Sequence, residues 1–374
     1  MEPGAAKSKV QTRFQRTVAD TADFYGASLL IHSESRDVHW DLAAGRAGRD
    51  SVEPAQPFFA ASIGKTFTAT IIAMLVEEGE FRFDDPISPY LSDEVLNGLH
   101  VYRGTDHTDD IQIHHLLTHT SGLPHLLSDE FGLFSRRTEK SPEGKTFFDV
   151  VIEDPDRFWD PKETIDWAKE NLHPHFPPGD GIFYSDVGYN LLGLIIEHIT
   201  EQPFHRALHE YLFEPLGMDG SYLSQFSEPA VRSDLAVQPV YVGDRKFDVE
   251  RYRSFSGFYA GGQTVNTTED LLAFHRALVE GRLVTEETLD EMTQWRNLTI
   301  GLDYGYGVAR IRPIYLRSKY DSWGGLGATN AVMLYNPGND IYIISTFNQT
   351  ASRQKAMRFV FRALRTVSKI EPAV

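Results

Sequence analysis

Short apolar runs near both ends of the chain have the length and the flanking polar turns of β-strands. Two of them, Ala27–His32 and Val38–Ala43, are separated by polar residues typical of a hairpin. Three more cover Tyr306–Ile311, Asn330–Tyr335 and Ile341–Phe347, and a turn rich in asparagine, proline and glycine precedes the last one. Strands at both ends predict an antiparallel sheet that the two ends of the chain close together.

The region between these strands has a helical pattern instead. Apolar residues recur every three or four positions over Asn190–Thr200 and His205–Leu212, and long loops rich in proline, glycine and histidine separate such segments. We therefore predict an α/β (α+β) fold, in which residues 1–80 and 263–374 form an antiparallel sheet flanked by helices. Residues 81–262 form a mostly helical inserted region, and we expect the functional site in the groove between the two parts.

Helices are also predicted at the ends of the sheet domain. Val10–Phe24 has the pattern of a surface helix, and Thr66–Glu78 is a strongly apolar helix that ends near Gly79. The last helix has a single apolar stripe, formed by Met357, Val360, Phe361, Leu364 and Val367. We expect these helices to cover the sheet.

The composition supports a large, well-packed protein and limits its chemistry. Of the 374 residues, 41% are hydrophobic, which is enough for a substantial core. The chain contains no cysteine, so disulfides, thiol nucleophiles and cysteine metal sites are excluded. The formal net charge of −17 disfavours nucleic acid and anionic membranes as partners.

The sequence also bears on localisation. The first ten residues lack the apolar core of a secretory signal, and no segment has the roughly 20 apolar residues that span a bilayer. We therefore expect a cytoplasmic protein, although a periplasmic or secreted protein whose signal had been removed would look the same. The oligomeric state has no signature in the sequence.

Ser62 and Lys65 are the most informative pair of residues. They lie three positions apart where the apolar helix begins, so their side chains share one face and can reach each other. A serine hydroxyl becomes a nucleophile when a neighbouring base takes its proton. Burial lowers the pKa of an amine, so a buried lysine can be that base. The pair is therefore a candidate nucleophile and base.

The same spacing occurs a second time, at Ser352 and Lys355, so the spacing alone does not identify a catalytic site. We interpret the second copy as the start of the C-terminal helix, with Ser352 as its N-cap. The segments that accompany each copy must decide between them.

Several segments downstream of Ser62 match a known family in order and spacing. They are Leu116–Pro124, Phe176–Gly179, Tyr184–Gly193 and Phe213–Met218. With Ser62-Ile63-Gly64-Lys65, they resemble the class C β-lactamase-like serine hydrolases. That superfamily includes penicillin-binding-protein-like D-peptidases, D-amino-acid amidases, family VIII carboxylesterases and some acyltransferases. The resemblance runs from about Ala27 to Leu364 and implies the antiparallel sheet and helical region predicted above.

The resemblance also implies catalytic roles. Ser62 would be the nucleophile, Lys65 the favoured base, and Tyr184 a relay that moves protons between them and the leaving group. Whether lysine or tyrosine is the general base of such enzymes is disputed, and the sequence leaves this open. Asp186 stands where the family usually has asparagine. An ionised Asp186 would help to keep Lys65 protonated or would recognise a substrate amine, and it would disfavour an anionic acyl group.

The third family motif departs further from the common pattern. In place of Lys-Thr-Gly or His-x-Gly, this chain has Trp323-Gly324-Gly325 followed by Leu326, which resembles some family VIII esterases and related acyltransferases. The resemblance implies an oxyanion hole formed by the backbone N–H of Ser62 and one near Gly325 or Leu326. The alternative is a glycine-rich strand end with a packed tryptophan. Trp323 also replaces the cation that would bind a carboxylate, which favours uncharged substrates.

We therefore expect a serine hydrolase that acts through an acyl-enzyme on small uncharged esters, like a carboxylesterase. The alternatives are a D-amino-acid-specific peptidase or amidase, a D,D-carboxypeptidase-like enzyme, a weak β-lactamase and an acyltransferase. A non-catalytic binding protein is disfavoured because the serine, lysine and tyrosine are all present. The partner would be a small ester or amide.

No cofactor and no metal are expected. The chain has no nucleotide-binding glycine motif or P-loop. Two histidine pairs, His115 with His119 and His205 with His209, have the four-residue spacing of zinc ligands. Neither pair has a third ligand in its motif, so we assign these histidines structural roles.

Overall fold

The computed structural model describes residues 1–127, 140–313 and 318–373. In chain order, its strands are β1 Gly26–Ser33, β2 Val38–Ala47, β3 Asp50–Ser51, β4 Phe58–Phe59, β5 Val101–Tyr102, β6 Thr105–Asp106, β7 Tyr222–Leu223, β8 Val240–Val242, β9 Arg245–Phe247, β10 Thr264–Asn266, β11 Arg296–Thr299, β12 Leu302–Tyr304, β13 Ala309–Ile311, β14 Ser322–Leu326, β15 Val332–Asn336 and β16 Ile341–Thr346. Its helices are α1 Pro3–Ala19, α2 Gly64–Glu78, α3 Asp93–Leu96, α4 Ile113–Leu117, α5 Phe147–Glu153, α6 Pro161–Asn171, α7 Asp186–Thr200, α8 Phe204–Leu208, α9 Glu214–Leu216, α10 Thr268–Val279, α11 Glu286–Met292 and α12 Arg353–Val367.

One large antiparallel sheet organises the described residues. Its strands run in the order β11-β12-β13-β14-β15-β16-β1-β2-β3. β1, near the N-terminus, lies between β2 and β16, so that Ile31 is opposite Trp40 on one side and Ile343 on the other. The prediction of an antiparallel sheet closed by the two ends of the chain is confirmed.

Helices cover both faces of this sheet. α1 buries Ala6, Val10, Phe14 and Val18, which recur every fourth residue and so lie on one face of the helix. The Phe14 ring stacks on Phe359 of α12 at 5.3 Å between centroids. α1 and α12 thus form one covering layer, and α2 and α10 pack against the opposite face of the sheet.

α2 is the central helix of the second layer. Most of its side chains are buried, including Phe67, Ile71 and Ile72, which are completely inaccessible. It ends where predicted, because Gly79 adopts the left-handed conformation (φ +84°) that closes a helix. A helix that is buried nearly all round holds its first turn rigidly, and that turn carries Lys65 and follows directly on Ser62.

Several predicted boundaries were wrong. α1 begins at Pro3, a residue favoured in the first turn of a helix, and it ends at Ala19 instead of near Phe24. The predicted strand at Tyr306–Ile311 is reduced to β13, because Gly307 turns the chain with φ +69°. The predicted helix His205–Leu212 is divided between α8 and a π-helical turn, His209–Phe213.

Ser352 occupies the N-cap position predicted for α12. Its φ of +55° is left-handed, however, and its side chain makes no cap hydrogen bond. The hydroxyl instead donates to the Asp23 carboxylate, which joins the start of α12 to the chain after α1.

The division into a sheet domain and a helical region stays a proposal. The helices α3–α9 all lie within residues 81–262. A small sheet nevertheless crosses this division, because β7 of that region pairs with β10, which also pairs with β4. Among the described residues, no helix is both long enough and apolar enough to cross a membrane.

Candidate active site

Ser62 lies in a 3-10 turn, Ala61–Ile63, that leads directly into α2. Gly262 passes so close that a Cβ there would lie 2.6 Å from the Ala61 carbonyl oxygen, and its φ of +141° also favours glycine. On the other side, Gly325 of β14 faces Ile63, since a Cβ on this glycine would lie 3.1 Å from the isoleucine side chain. Two glycines that are distant in sequence therefore enclose the turn that carries Ser62.

Lys65, at the start of α2, is completely buried. Its Nζ lies 3.5 Å from Ser62 Oγ and 2.5 Å from Asp186 Oδ1, and it also donates to the carbonyl of Gly261. The three donors of the ammonium group therefore have three acceptors. Nζ is 4.8 Å from the centre of the Tyr184 ring. Lys65 thus contacts the predicted nucleophile, a carboxylate and the predicted proton relay.

Asp186 is the first residue of α7, and both of its carboxylate oxygens are engaged within the protein. Oδ1 accepts from Lys65, and Oδ2 lies 2.9 Å from Nδ1 of His125. Burial alone would raise the pKa of Asp186, but the charges and hydrogen bonds of Lys65 and His125 outweigh burial and lower this pKa below its ordinary value. Asp186 is therefore an ionised link between two basic side chains.

Tyr184 is buried beside this group, and its phenol interacts with the Ser62 hydroxyl. Burial, with a smaller contribution from the Asp186 charge, raises the pKa of Tyr184 well above its ordinary value. The Ser62 hydrogen bond and the positive charge of Arg353 oppose this increase but do not cancel it. Tyr184 is consequently a neutral phenol at rest, with a proton that it can donate.

His119 holds the Tyr184 segment in place. Its carbonyl accepts from the N–H of Phe183, and its Nδ1 accepts from the N–H of Ser185, at 2.8 and 3.1 Å. The imidazole lies on the Tyr184 ring with 4.1 Å between centroids. Burial, followed by the Lys65 charge, lowers the pKa of His119 well below its ordinary value, so the ring is neutral. This geometry gives His119 the structural role expected from the sequence.

β14 brings the third motif beside the Ser62 turn. Gly324 has a φ of +148°, and a side chain there would collide with the carbonyl of Met333 on β15. The Trp323 side chain packs against His275 of α10, edge to face at 5.3 Å, and against Tyr335. The described residues that line the cavity beside Ser62 do not include Trp323. Trp323 therefore supports β14, and the backbone after Gly324 approaches the nucleophile.

Leu326 points to the other face of β14, where it belongs to the same apolar cluster as Tyr184 and Tyr304. Gly327, the next residue, lies against the Ser62 turn, since a Cβ on it would be 2.5 Å from the Ala60 carbonyl oxygen. The backbone at residues 325–327 thus runs along the turn that carries Ser62, which is the arrangement that an oxyanion hole requires.

A small apolar cavity opens beside Ser62. Its free volume is about 60 Å³. Most of its lining is aromatic or aliphatic, formed by Phe59, Leu127, Phe148, Val240, Val242, Phe247, Val249, Phe255 and Phe258. A water-sized group needs about 10–15 Å³ on this measure, so the cavity has room for roughly four such groups. It therefore has the size and the polarity to hold a small apolar group.

Arg353, the first residue of α12, is a basic residue near the site that sequence reasoning missed. It donates from Nη2 to the Ala328 carbonyl at 3.1 Å and from Nε to Asn330 Oδ1 at 3.3 Å. Burial lowers its pKa to about 10, so it stays charged at neutral pH, and its charge acts on Tyr184. The positive charge of Arg353 therefore lies close to Tyr184, although residue 323 itself is a tryptophan.

The comparison with known families agrees with this geometry. A family model described as Beta-lactamase matches residues 14–365. The chain belongs to the beta-lactamase family. Family membership confirms the expected resemblance and the expectation of a serine hydrolase. The family match does not identify the substrate of this protein.

Relatives of this beta-lactamase-family protein have diverse names. "Penicillin-binding protein 4*" of Bacillus subtilis is 25% identical over 315 residues, which are 80% of this chain and 62% of that protein. The chain thus spans less than two thirds of the length of this curated relative. A D-amino acid amidase from Ochrobactrum anthropi has a TM-score of 0.76 at 22% identity, covering 98% of this chain and 99% of its own. EstCE1, described as a hydrolase with promiscuous acyltransferase activity, has a TM-score of 0.73 at 16% identity, covering 97% and 99%.

Two contacts of the site had weak signals in the sequence. His125 follows directly on the recognised segment Leu116–Pro124, and Gly261 precedes the glycine that encloses Ser62. Both could have been flagged as neighbours of recognised motifs, but their contacts with Asp186 and Lys65 join residues at least 61 positions apart. Arg353 lies inside the second S-x-x-K copy, whose pattern indicates only the start of a helix.

Proposed function

We propose that this protein hydrolyses small uncharged esters with a short apolar acyl group, through an acyl-enzyme on Ser62. The observation that carries the proposal is the small apolar cavity beside Ser62, with Lys65 Nζ 3.5 Å from its hydroxyl. An acyl group covalently attached to Ser62 would lie in that cavity. The engagement of both Asp186 oxygens also supports esters, because it disfavours Asp186 as a binding site for a substrate ammonium group.

Acylation follows from the contacts of Ser62. Its Oγ attacks the ester carbonyl, its proton passes to Lys65, and the carbonyl oxygen takes the electron pair. Backbone N–H groups of Ser62 and of the Gly325–Leu326 segment stabilise this oxyanion. The bond to the alcohol oxygen then breaks, Tyr184 gives that oxygen its proton, and Lys65 returns a proton to Tyr184. The high pKa of Tyr184 fits a proton donor and favours Lys65 as the base.

Deacylation reverses these proton transfers with water in place of the alcohol. Water attacks the acyl carbonyl while its proton passes to the Lys65–Tyr184 pair, and the bond to Ser62 Oγ breaks. Ser62 regains its proton, and the carboxylic acid leaves. An acyltransferase would differ only in using an alcohol or amine in place of water at this step.

His125 has a positioning role in this proposal. Lys65 must be neutral to accept the Ser62 proton, but an ionised Asp186 at 2.5 Å stabilises the ammonium form. An imidazolium at His125 balances the carboxylate from its other oxygen, so Lys65 can lose its proton without leaving an unpaired buried negative charge. Asp186 and His125 together would then replace the neutral asparagine that the family usually has.

A second candidate function has one observation in its favour. Arg353 is a charged group close to Tyr184, and a substrate carboxylate could pair with it. That contact would suit a D-amino-acid peptidase or a slow β-lactamase. Such activity would need the substrate carboxylate to reach Arg353, which donates to the carbonyl of Ala328 in the cavity lining.

A substrate panel separates the two candidates. Initial rates would be measured for p-nitrophenyl acetate, butyrate and octanoate, for D-phenylalanine amide, and for a cephalosporin that carries a carboxylate. We expect kcat/KM for acetate and butyrate esters, each corrected for spontaneous hydrolysis, to exceed that for the amide and the cephalosporin by at least about 100-fold. Equal or faster turnover of the amide or the cephalosporin would replace the esterase proposal with the second candidate.

A further inference from the structure

Positive charge is concentrated in α1 and α12. α1 contains four lysines and arginines, α12 contains five, and neither helix contains an aspartate or a glutamate. These nine charges belong to a chain with a formal net charge of −17, so the remaining residues carry −26. The net negative charge of the whole chain therefore hides two strongly basic helices.

The two helices are antiparallel and enclose a groove. At one end the N-terminal amine donates to the Lys369 carbonyl just after α12, and at the other the Ser352 hydroxyl donates to Asp23. The groove between them has a free volume of about 670 Å³. The hydroxyls of Ser8, Thr12, Thr17 and Thr21 also line it.

Basic residues line both walls of this groove. One wall carries Lys9, Arg13 and Arg16, and the other carries Lys355, Arg358 and Arg362. Each set has the spacing of residues that share one helix face. The first and last residues of each row are seven positions apart, which is about 10 Å of helix. The groove therefore presents two parallel rows of positive charge.

These charges have no partners among the residues that the structure describes. Among the described residues, none of the six side chains makes an ion pair or a hydrogen bond, and Asp20 is the single acidic residue in the described lining. Like charges that face each other across a groove destabilise the fold. A groove that keeps this repulsion is suited to a ligand that supplies the negative charge.

We propose that the α1–α12 groove binds a linear chain of phosphate groups, of which inorganic polyphosphate is the simplest. A groove with two basic walls matches an extended chain of negative charges, and Thr12 adds a hydroxyl to its lining. The aromatic ring in the described lining, Phe359, is 2% exposed, so it offers no platform on which nucleic acid bases could stack. None of the exposed large apolar side chains of the described residues lines the groove, which disfavours a lipid bilayer.

Binding would be measured on the full chain by calorimetry with long-chain inorganic polyphosphate at several salt concentrations. The test variant is Arg13→Gln with Arg358→Gln, one change on each wall, and the control is Arg49→Gln with Lys162→Gln, which removes two exposed charges elsewhere. We expect the test variant to weaken binding by at least about tenfold and to reduce the salt dependence by about two ionic contacts. The control should bind as the wild type does.

A second readout separates lost binding from lost folding. Without polyphosphate, the test variant should have a Tm at least as high as the wild type, because the substitutions relieve repulsion across the groove. Polyphosphate should raise the Tm of the wild type and the control but not that of the test variant.

Unchanged binding by the test variant would overturn the proposal, as would equal binding of orthophosphate at the same phosphate concentration. Tighter binding of an oligo-dT strand, or of vesicles containing anionic phospholipid, would assign the groove to nucleic acid or to a membrane instead. Ester hydrolysis plays no part in these measurements, so the failure of one proposal leaves the other intact.

Discussion

His125 and Asp186 are joined by a contact of 2.9 Å between Nδ1 and Oδ2, on the side of the carboxylate opposite Lys65. A buried carboxylate between two basic groups can balance the charge of either one. In the proposed mechanism, the proton on Lys65 is therefore coupled to His125 through Asp186.

A double-mutant cycle tests this coupling. His125→Gln keeps a hydrogen-bond donor but removes the balancing charge, so Asp186 should hold the Lys65 proton more firmly. We expect kcat near pH 7 to fall by about tenfold or more. Adding Asp186→Asn should restore much of the activity, because no charge remains to be balanced. A double variant that is no faster than His125→Gln alone would contradict the role given to His125.

Removal of the base gives a larger effect. Lys65→Met should lower kcat for p-nitrophenyl butyrate by about 10²- to 10⁴-fold, because a general base contributes about that much. Loss of the ammonium group also leaves Asp186 with His125 as its remaining basic partner among the described residues, so the Tm should fall too. Activity is therefore compared at a temperature at which circular dichroism shows the variant to be folded. A folded variant that retains more than about a tenth of wild-type kcat would show that Lys65 is not the base.

The size of the acyl cavity should set the preferred chain length. Phe258 lines the cavity and is partly exposed, so Phe258→Ala should enlarge the cavity without collapse of the core. We expect the ratio of kcat/KM for octanoate to that for butyrate to rise by about tenfold, since each buried methylene contributes about 0.8 kcal/mol. Phe158→Ala, at an exposed phenylalanine that is not part of the described lining, is the matched control. An unchanged ratio in Phe258→Ala would place the acyl group elsewhere.

His275 predicts how stability depends on pH. Burial lowers the pKa of this histidine to about 3, whereas an unfolded histidine has a pKa of about 6.5. As the pH falls below about 6.5, the unfolded chain gains a proton that the folded protein excludes, so stability is complete above that pH and decreases toward pH 3. At pH 5 the loss from this residue is about 2 kcal/mol.

Urea unfolding at pH 7 and pH 5 measures this effect. The free energy of unfolding should decrease by about 2 kcal/mol less in His275→Leu than in the wild type between these two pH values. The comparison uses only the change with pH, so any effect of the substitution on packing cancels. An equal decrease in both proteins would show that another group dominates the acid sensitivity.

The sequence predicted the parts of the fold that regular patterns control. The paired strands β1, β2, β15 and β16 are apolar and bounded by polar turns, and α2 is apolar and stopped by a glycine. β14 escaped prediction because two of its five residues are glycines, which have low strand propensity. Its position depends on contacts with the Ser62 turn and β15, which a local pattern does not contain.

Some residues of the site could likewise be predicted from the sequence, and others could not. Ser62, Lys65 and Tyr184 were recognisable because each lies in a segment with fixed spacing, and the structure brings the three together. His125 and Arg353 reach the site only through tertiary packing. Trp323 matched a family motif by its residue type, but its ring packs against His275. That contact depends on the pairing of β14 with its neighbouring strands, which the local sequence does not contain.

The most direct test of the central claim is intact-protein mass spectrometry after brief incubation with p-nitrophenyl butyrate, with nitrophenol release followed in parallel. The wild type and Ser352→Ala, which alters the second S-x-x-K copy, are compared with Ser62→Ala. We expect nitrophenol release and a butyryl adduct, trapped by acid quenching, in the first two proteins and neither in Ser62→Ala. Release that persists in folded Ser62→Ala, or an adduct that maps to another residue, would contradict an acyl-enzyme on Ser62.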